Sequence, residues 1–128
     1  MTVRRRLWLW LPVVAWMGTI FFLSALPDLP HPSSDWLDWL LSSTAHLFLF
    51  AVLAMLWGRA LGVGRRSWLI ALALTLLYAL SDEFHQSFVP GRHADPWDLA
   101  FDALGAALGL EGWAWLVRRI SISPKSLS

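Results

Sequence analysis

The chain has 128 residues, of which 57% are hydrophobic, 15% are charged and ten are tryptophan. This length predicts one domain, residues 1–128. An ordinary soluble domain has roughly 25% charged residues, and tryptophans favour bilayer interfaces. The low fraction of charged residues and the many tryptophans therefore predict a membrane protein. The net charge of +1 argues against nucleic acid as a partner, and the absence of cysteine excludes disulfides, thiol catalysis and cysteine metal ligands.

The first predicted span covers residues 7–26, an uncharged run that directly follows Arg4, Arg5 and Arg6. A helix rises about 1.5 Å per residue, so this run can cross a bilayer core of roughly 30 Å. A cleaved signal peptide is the alternative interpretation. The run is longer than the usual apolar region of about 7–15 residues and lacks a small-x-small cleavage site, which favours a retained span.

The second predicted span covers residues 40–60 and contains one histidine, His46. The segment before it is acidic and is broken by prolines, which end the preceding helix. Because this connecting segment also contains Trp36, we expect it to lie along the membrane interface.

The third predicted span, residues 67–88, has a short uncharged part, Ser67 to Ser81. That part measures roughly 22 Å at the rise of an α-helix, which is less than the thickness of the bilayer core. If this helix crosses, its last turns must therefore carry Asp82, Glu83 and His85 near the outer edge of the membrane.

The fourth predicted span covers residues 97–117 and begins with a standard helix start. Asp95 is a good N-cap residue, and Pro96 suits the first helical position. Asp102 and Glu111 interrupt the apolar run, so this helix would fail a strict test for uncharged spans. The sequence therefore predicts an all-α polytopic membrane protein with four transmembrane helices.

The basic residues test whether the four spans alternate sides. All of them except Arg92 fall in the N-terminus, the turn between spans two and three, and the C-terminus: Arg4, Arg5, Arg6, Arg59, Arg65, Arg66, Arg118, Arg119 and Lys125. The positive-inside rule then predicts that both termini are cytoplasmic, an N-in/C-in topology. All acidic residues except Glu111, and all four histidines, fall toward the opposite, extracytoplasmic side.

Polar residues line one face of the third helix near its end. Tyr78, Asp82, His85 and Gln86 follow the i, i+4, i+7 and i+8 spacing that places side chains on one face of an α-helix. Ionisable groups inside a span cost on the order of 2.5–3.5 kcal/mol on insertion scales, so they usually face a polar interior and mark function.

The fourth helix carries a similar face. Asp98, Asp102, Gly105 and Gly109 share it, and a short turn joins this helix to the third, so the two polar faces can meet. Arg92 lies in that turn, where it can pair with a carboxylate or bind an anion. Two small-xxx-small pairs also allow close packing of helices: Gly58/Gly62 and Gly105/Gly109.

These residues suggest candidate roles. Asp82, Glu83 and His85 are candidate catalytic residues, because a carboxylate with a histidine can act as general base and acid. The candidate binding residues have polar side chains near the same faces: Arg92, Gln86, Tyr78, Asp98, Asp102 and His46. Carboxylates and histidines also ligate divalent metals, but the HExxH zinc signature is absent, so both the metal and any cofactor stay unknown. The alternative is a structural network in which these side chains satisfy one another.

The sequence resembles the VanZ-like family of small bacterial membrane proteins over nearly its whole length. The string Ser81-Asp-Glu-Phe-His-Gln-Ser-Phe-Val-Pro-Gly-Arg92 carries the resemblance, with further support at the positions Asp98, Asp102, Gly105, Gly109, Ser24 and His46. Three positions depart from the family pattern, which often has Lys, Tyr and Asn where this chain has Ser43, Phe50 and Asp102. Loss of the Lys weakens the idea of a basic residue facing a head-group phosphate there, and Asp102 favours cation or proton binding.

The resemblance implies a role at the cell envelope, because the founding family member is associated with resistance to the glycopeptide teicoplanin. It implies no biochemical activity residue by residue. We therefore expect a multi-pass protein of the bacterial inner membrane whose extracytoplasmic polar site acts on or binds a lipid-linked or amphiphilic envelope component. The alternatives are a non-enzymatic interaction subunit and an ion-coupled transporter, which would require a homo-oligomer.

Overall fold

The computed structural model describes residues 1–27, 35–92 and 95–122, and within these ranges the chain forms four α-helices and no strand. They are α1 (Val3–Ala25), α2 (Asp35–Leu61), α3 (Arg65–Gln86) and α4 (Pro96–Ile122). The all-α prediction is confirmed. The predictions that concern His31, His93 and Lys125 lie outside the described residues.

Three of the described helices are long and apolar enough to cross a membrane: α1, α2 and α3, with mean hydropathies of 1.7, 1.9 and 1.3. The helix α4 is as long as α2, at 27 residues, but is not among these three. This agrees with the expectation that Asp102 and Glu111 interrupt its apolar run.

The ends of the helices follow local capping chemistry. Helix α1 begins earlier than the predicted span because the hydroxyl of Thr2 accepts a hydrogen bond from the Arg5 N–H (3.2 Å) and caps the helix. At α4, the carboxylate of Asp95 accepts a bond from the Trp97 N–H (3.0 Å), so the predicted cap before Pro96 is confirmed. Helix α2 begins at Asp35, where acidic side chains favour the positive end of a helix dipole.

Helix α4 packs most extensively against α2, and two glycines make the close approach possible. A Cβ atom at Gly105 would collide with the backbone oxygen of Leu47, and one at Gly109 with that of Ala51. Small residues at such crossings let the helix backbones come together. The prediction of close packing at this pair is therefore confirmed.

The other glycine pair is divided between two roles. Gly58 lies against the side chains of Leu110 and Trp113, and a Cβ atom at this position would lie 3.1 Å from the nearest of their atoms, so it too supports packing of α2 on α4. A Cβ atom at Gly62 would meet nothing within 4 Å, but Gly62 has a φ of +100°, a backbone conformation that glycine adopts readily. Gly62 therefore serves the turn between α2 and α3.

Helix α1 packs against α2 and α3 and makes no contact with α4 within the described residues. Two hydrogen bonds hold it there: the Trp16 indole donates to the Leu49 carbonyl (2.8 Å), and the Tyr78 hydroxyl donates to the Met17 carbonyl (2.5 Å). In a bilayer, where lipid is as apolar as the helix surfaces, packing and such hydrogen bonds drive helix association. The four helices thus form one bundle in which α2 is central.

Candidate functional site

Buried polar side chains collect at one end of the bundle, where α3 ends and α4 begins; we call it the α3–α4 end. Among the described residues, all of the buried polar and charged side chains except Thr75 lie there: Ser24, Ser43, His46, Asp82, Glu83, Gln86 and Asp102. All four helices contribute to this set. Burying so many polar groups is costly unless they are paired or serve a function.

His46 of α2 connects to two carboxylates of α4. Its Nδ1 atom lies 2.8 Å from Oδ1 of Asp102, and its Nε2 atom lies 3.7 Å from Oδ2 of Asp98. Asp102 is completely buried, whereas Asp98 is partly exposed. The short contact explains why α4 presents its polar face to α2: Asp102 meets His46 two helical turns before Gly109 passes close to Ala51.

Glu83 of α3 joins this group from the third side. Its Oε2 atom accepts a hydrogen bond from the Asp95 N–H at the start of α4 (3.2 Å), while its Oε1 atom has no hydrogen-bond partner among the described residues. One ligand atom from each of His46, Glu83 and Asp102 lies within 4.8 Å of the other two. Helices α3 and α4 therefore meet through Glu83, which lies outside the predicted polar face of α3, with His46 as a third member.

Asp82, although adjacent to Glu83 in sequence, belongs to a different group. Successive residues of an α-helix point about 100° apart, so the two carboxylates leave α3 in different directions. The Gln86 amide nitrogen lies 3.5 Å from Oδ2 of Asp82 and 3.4 Å from the hydroxyl oxygen of Ser24 on α1. These polar groups face a space between α1, α2 and α3.

That space is a cavity of about 430 Å³, which we call the main cavity. A smaller cavity of about 250 Å³ extends from the same region toward the start of α4. The two share a polar wall, made of Asp38, Ser42, His46, Gln86 and Arg92. The main cavity also has an apolar lining, made of Leu23, Leu26, Leu41, Ala45, Leu49 and Phe50. Such a site suits a molecule that has both a polar and an apolar part.

Arg92 lies in the turn after α3 and contacts the end of α1. Its Nε atom donates to the Leu26 carbonyl (3.0 Å) and its Nη2 atom to the Leu23 carbonyl (3.3 Å). The guanidinium therefore helps to cap the end of α1: it satisfies the Leu26 carbonyl and shares the Leu23 carbonyl with the Leu26 N–H. It also lines both cavities, so one side chain holds α1 in place and presents positive charge to the cavity.

Four of the predicted site residues line neither cavity: Glu83 and Asp102, which lie close to His46, and His85 and Tyr78. The ring of His85 stacks on Phe21 of α1, with ring centroids 4.4 Å apart, and does not line either cavity. Tyr78 packs near Phe50, and its hydroxyl donates a hydrogen bond to the Met17 carbonyl of α1. The three candidate catalytic side chains, Asp82, Glu83 and His85, thus take different directions from α3, whereas His46 lies between the cavity and the buried carboxylates.

Three residues of α2 with carboxylate or hydroxyl side chains line the cavities without having been predicted as site residues: Asp38, Ser42 and Ser43. Asp38, Ser42 and His46 follow an i, i+4, i+8 spacing, which places them on one face of α2. Helical periodicity counted backward from His46 would have found this polar stripe.

A protein-family model described as VanZ/LLP1 matches residues 9–118. The chain belongs to the VanZ/LLP1 family. The resemblance seen in the sequence is confirmed, and the matched range includes every residue of the site described above. Comparisons with curated proteins and with solved structures gave no match. Family membership and three span-like helices together identify a VanZ/LLP1-family membrane protein.

All three departures from the VanZ-like pattern lie within this VanZ/LLP1 site, and Ser43, where the pattern often has Lys, lines the smaller cavity. Asp102, where the pattern has Asn, makes the short contact with His46. Phe50, where the pattern has Tyr, is fully buried, and its ring lies parallel to that of His46, with centroids 6.2 Å apart. This member of the family therefore has an extra carboxylate and one hydroxyl fewer around His46.

Proposed function

We propose that this VanZ/LLP1-family protein binds an amphiphilic, lipid-linked component of the cell envelope in the main cavity. The observation that carries the proposal is the mixed polar and apolar lining of that cavity. Its polar wall includes Arg92 and Gln86, and its apolar lining includes leucines from α1 and α2. A polar head group would meet the first and an acyl or prenyl chain the second.

In this proposal Arg92 attracts an anionic head group. Arginine offers five donors in a planar fork, and two of its nitrogens are used on the carbonyls of Leu23 and Leu26. The remaining donors have no hydrogen-bond partner among the described residues, and in this proposal they bind a phosphate or carboxylate in the cavity. Binding is favoured over acid–base catalysis by Asp82, Glu83 and His85, because these side chains do not converge on one accessible point.

The proposed orientation places the α3–α4 end at the extracytoplasmic face of the bacterial inner membrane, with four crossings and both termini in the cytoplasm. The distribution of arginines supports it. Arg59, Arg65 and Arg66 flank the turn between α2 and α3, at the opposite end of the bundle from Arg92. Cytoplasmic segments near spans are enriched in such residues.

A cavity-filling substitution tests the proposal. Ala45 lines the main cavity but makes no polar contact in the site, so Ala45→Trp would fill the space without breaking the polar network. We expect it to weaken binding of a polyprenyl phosphate, measured by native mass spectrometry of the detergent-solubilised protein, by at least about tenfold. Phosphatidylglycerol and phosphatidylcholine are the comparison lipids.

The matched control is Ala15→Trp, since Ala15 is also exposed on its helix but lies outside both cavities. It should bind the polyprenyl phosphate as the unmodified chain does. Equal binding by the Ala45→Trp and Ala15→Trp proteins would contradict the proposal, as would equal binding of all three lipids by the unmodified chain.

A second candidate function is that of a non-enzymatic subunit whose polar network fixes helix packing for assembly with a partner. The bonds from Arg92 to the end of α1 and the contact of His46 with Asp102 favour it. Here, substitutions in the network would lower the thermal unfolding temperature, and no lipid would raise it. A specific rise in that temperature on adding the polyprenyl phosphate separates the first function from the second.

A further inference from the structure

We infer that His46, Glu83 and Asp102 form a binding site for a divalent transition-metal ion of the Zn²⁺ or Mn²⁺ type. The three side chains come from three different helices, α2, α3 and α4, and all are buried. One imidazole nitrogen with two carboxylate oxygens is a donor set that suits these ions, whereas Mg²⁺ and Ca²⁺ prefer oxygen ligands throughout. The inference goes beyond the binding of an amphiphile and does not depend on it.

The spacing of the donor atoms fits one ion with little movement. One ligand atom from each residue lies within 4.8 Å of the other two. Zinc binds histidine nitrogen and carboxylate oxygen at about 2.0–2.2 Å, so two ligands of one ion are at most about 4.4 Å apart. Small rotations of the side chains would bring the set into range, without any shift of the helices.

Unpartnered oxygens are the second, independent observation. Asp102 Oδ2 and Glu83 Oε1 are buried and have no hydrogen-bond partner among the described residues. Asp102 is 0% exposed and Glu83 is 7% exposed, so water cannot freely take the place of a partner. Buried acceptors left without partners are costly, and a cation bound between the two carboxylates would satisfy both.

The other oxygen of each carboxylate is already held. Asp102 Oδ1 contacts His46 Nδ1, and Glu83 Oε2 accepts the Asp95 N–H. The bond from the Asp95 N–H comes from outside the proposed ligand set, and bonds of that kind orient the ligands of metal sites, whereas the contact with His46 joins two of the proposed ligands. Each of the two carboxylates is thus held through one oxygen, and its second oxygen is left to bind the ion.

The charge balance also favours a cation. Among the described residues no Lys or Arg lies within salt-bridge distance of Glu83 or Asp102, and the basic group within that distance of Asp102 is His46. Two buried carboxylates with one imidazole leave negative charge in a region of low dielectric, which a divalent ion would neutralise. Since His46 also lines both cavities, the ion would lie at their wall.

The test uses the metal alone, with the full chain in detergent. After treatment with a chelator and desalting, the protein is titrated with Zn²⁺ and with Mn²⁺, and bound metal is counted by inductively coupled plasma mass spectrometry. We expect about one ion per chain and a higher thermal unfolding temperature in its presence. Mg²⁺ and Ca²⁺, tested in the same way, should bind at least about tenfold more weakly.

Glu83→Gln and Asp102→Asn each remove one negative ligand with little change in shape. Loss of an outer-shell partner lowers metal affinity by about 10–100-fold. Each of these variants removes a ligand itself, so each should lower metal affinity by more than that and abolish the metal-induced rise in unfolding temperature. The control is Glu111→Gln, which removes an exposed carboxylate at the other end of α4 and should leave metal binding unchanged.

Three outcomes would overturn the inference: no stoichiometric binding by the unmodified chain, unchanged affinity in both ligand variants, or equal loss in the Glu111→Gln control. If a ligand variant does not fold, the unmodified chain loaded with Co²⁺ gives the answer. Intense visible bands of a four- or five-coordinate ion support the site, and the weak spectrum of the hydrated ion contradicts it. Because no lipid is present, failure here leaves the amphiphile test unaffected.

Discussion

The side chains of His46 and Asp102 meet across the packed interface of α2 and α4, with 2.8 Å between Nδ1 and Oδ1, although 56 positions separate them in the chain. Asp102 is fully buried at this contact. The pair therefore links the central helix of the bundle to the helix that carries the most acidic residues. His46 also lines both cavities, so its ring lies between them and the buried carboxylate of Asp102.

Removing the carboxylate of Asp102 should destabilise the bundle. Asp102→Ala leaves the buried imidazole of His46 without its closest partner, and we expect the free energy of unfolding to fall by about 1–3 kcal/mol. Asp102→Asn keeps an oxygen acceptor, so its free energy of unfolding should fall by less. Titration of the detergent-solubilised protein with sodium dodecyl sulfate measures both values, and an equal loss in the two variants would contradict this account of the contact.

The close approach of α2 and α4 predicts that glycine cannot be replaced at the crossing. Gly105→Ala and Gly109→Ala would drive a Cβ atom into the backbone oxygens of Leu47 and Ala51, and overpacking of this kind costs about 1–3 kcal/mol or more.

The matched control is Gly112→Ala on the same helix, where a Cβ would meet nothing within 4 Å. That substitution should stabilise α4 by about 0.5–1 kcal/mol, because alanine loses less backbone freedom in a helix than glycine does. Comparing the unfolding free energies of the three variants tests the packing directly. A stabilising Gly105→Ala or Gly109→Ala would show that the two helices lie too far apart for such a collision.

Arg92 should hold the end of α1 more firmly than lysine can. Two of its nitrogens donate to the carbonyls of Leu23 and Leu26, whereas a lysine ammonium is a point charge without the planar fork. Arg92→Lys should therefore speed hydrogen exchange of the amides in the last turn of α1, measured by mass spectrometry. Arg66→Lys, at an exposed position near the start of α3, should not. Unchanged exchange in the Arg92→Lys protein would mean that these bonds do not secure the helix end.

The topology can be tested with single cysteines, because the chain has none of its own. A membrane-impermeant maleimide applied to intact spheroplasts should label Ser87→Cys, in the turn after α3, and should not label Val63→Cys, in the turn before it. Ile120→Cys near the end of α4 decides the number of crossings. Protection of this third cysteine supports four, and labelling from outside would mean that α4 does not cross.

Much of this fold follows from local sequence signals. Uncharged runs predict the span-like helices, the Asp95 side chain marks the start of α4, and the spacing of Gly105 and Gly109 predicts a close crossing. Each of these signals depends on residues that are neighbours along one helix. Local chemistry decides where a helix begins and which of its faces can approach another helix.

Helical spacing does not decide which helix a polar face will meet. Tyr78, Asp82, His85 and Gln86 share a broad face, yet His85 lies about 60° from Asp82 around α3 and stacks on Phe21 instead of facing the cavity. The contact of His46 with Asp102 and the bonds from Arg92 to α1 join residues on different helices. They depend on how the helices are rotated against one another, and the periodicity of polar residues along one helix does not predict that rotation.

Head-group photo-crosslinking tests the central claim, binding of an amphiphile in the main cavity, most directly. A polyprenyl phosphate analogue with a diazirine beside the phosphate is irradiated with the protein in nanodiscs, and the labelled peptides are identified by mass spectrometry. The account predicts label concentrated around Ser42, Gln86 and Arg92, which share the polar wall, and its loss in the Ala45→Trp protein. Label spread over the outer surfaces of the helices, unchanged by that substitution, would contradict it.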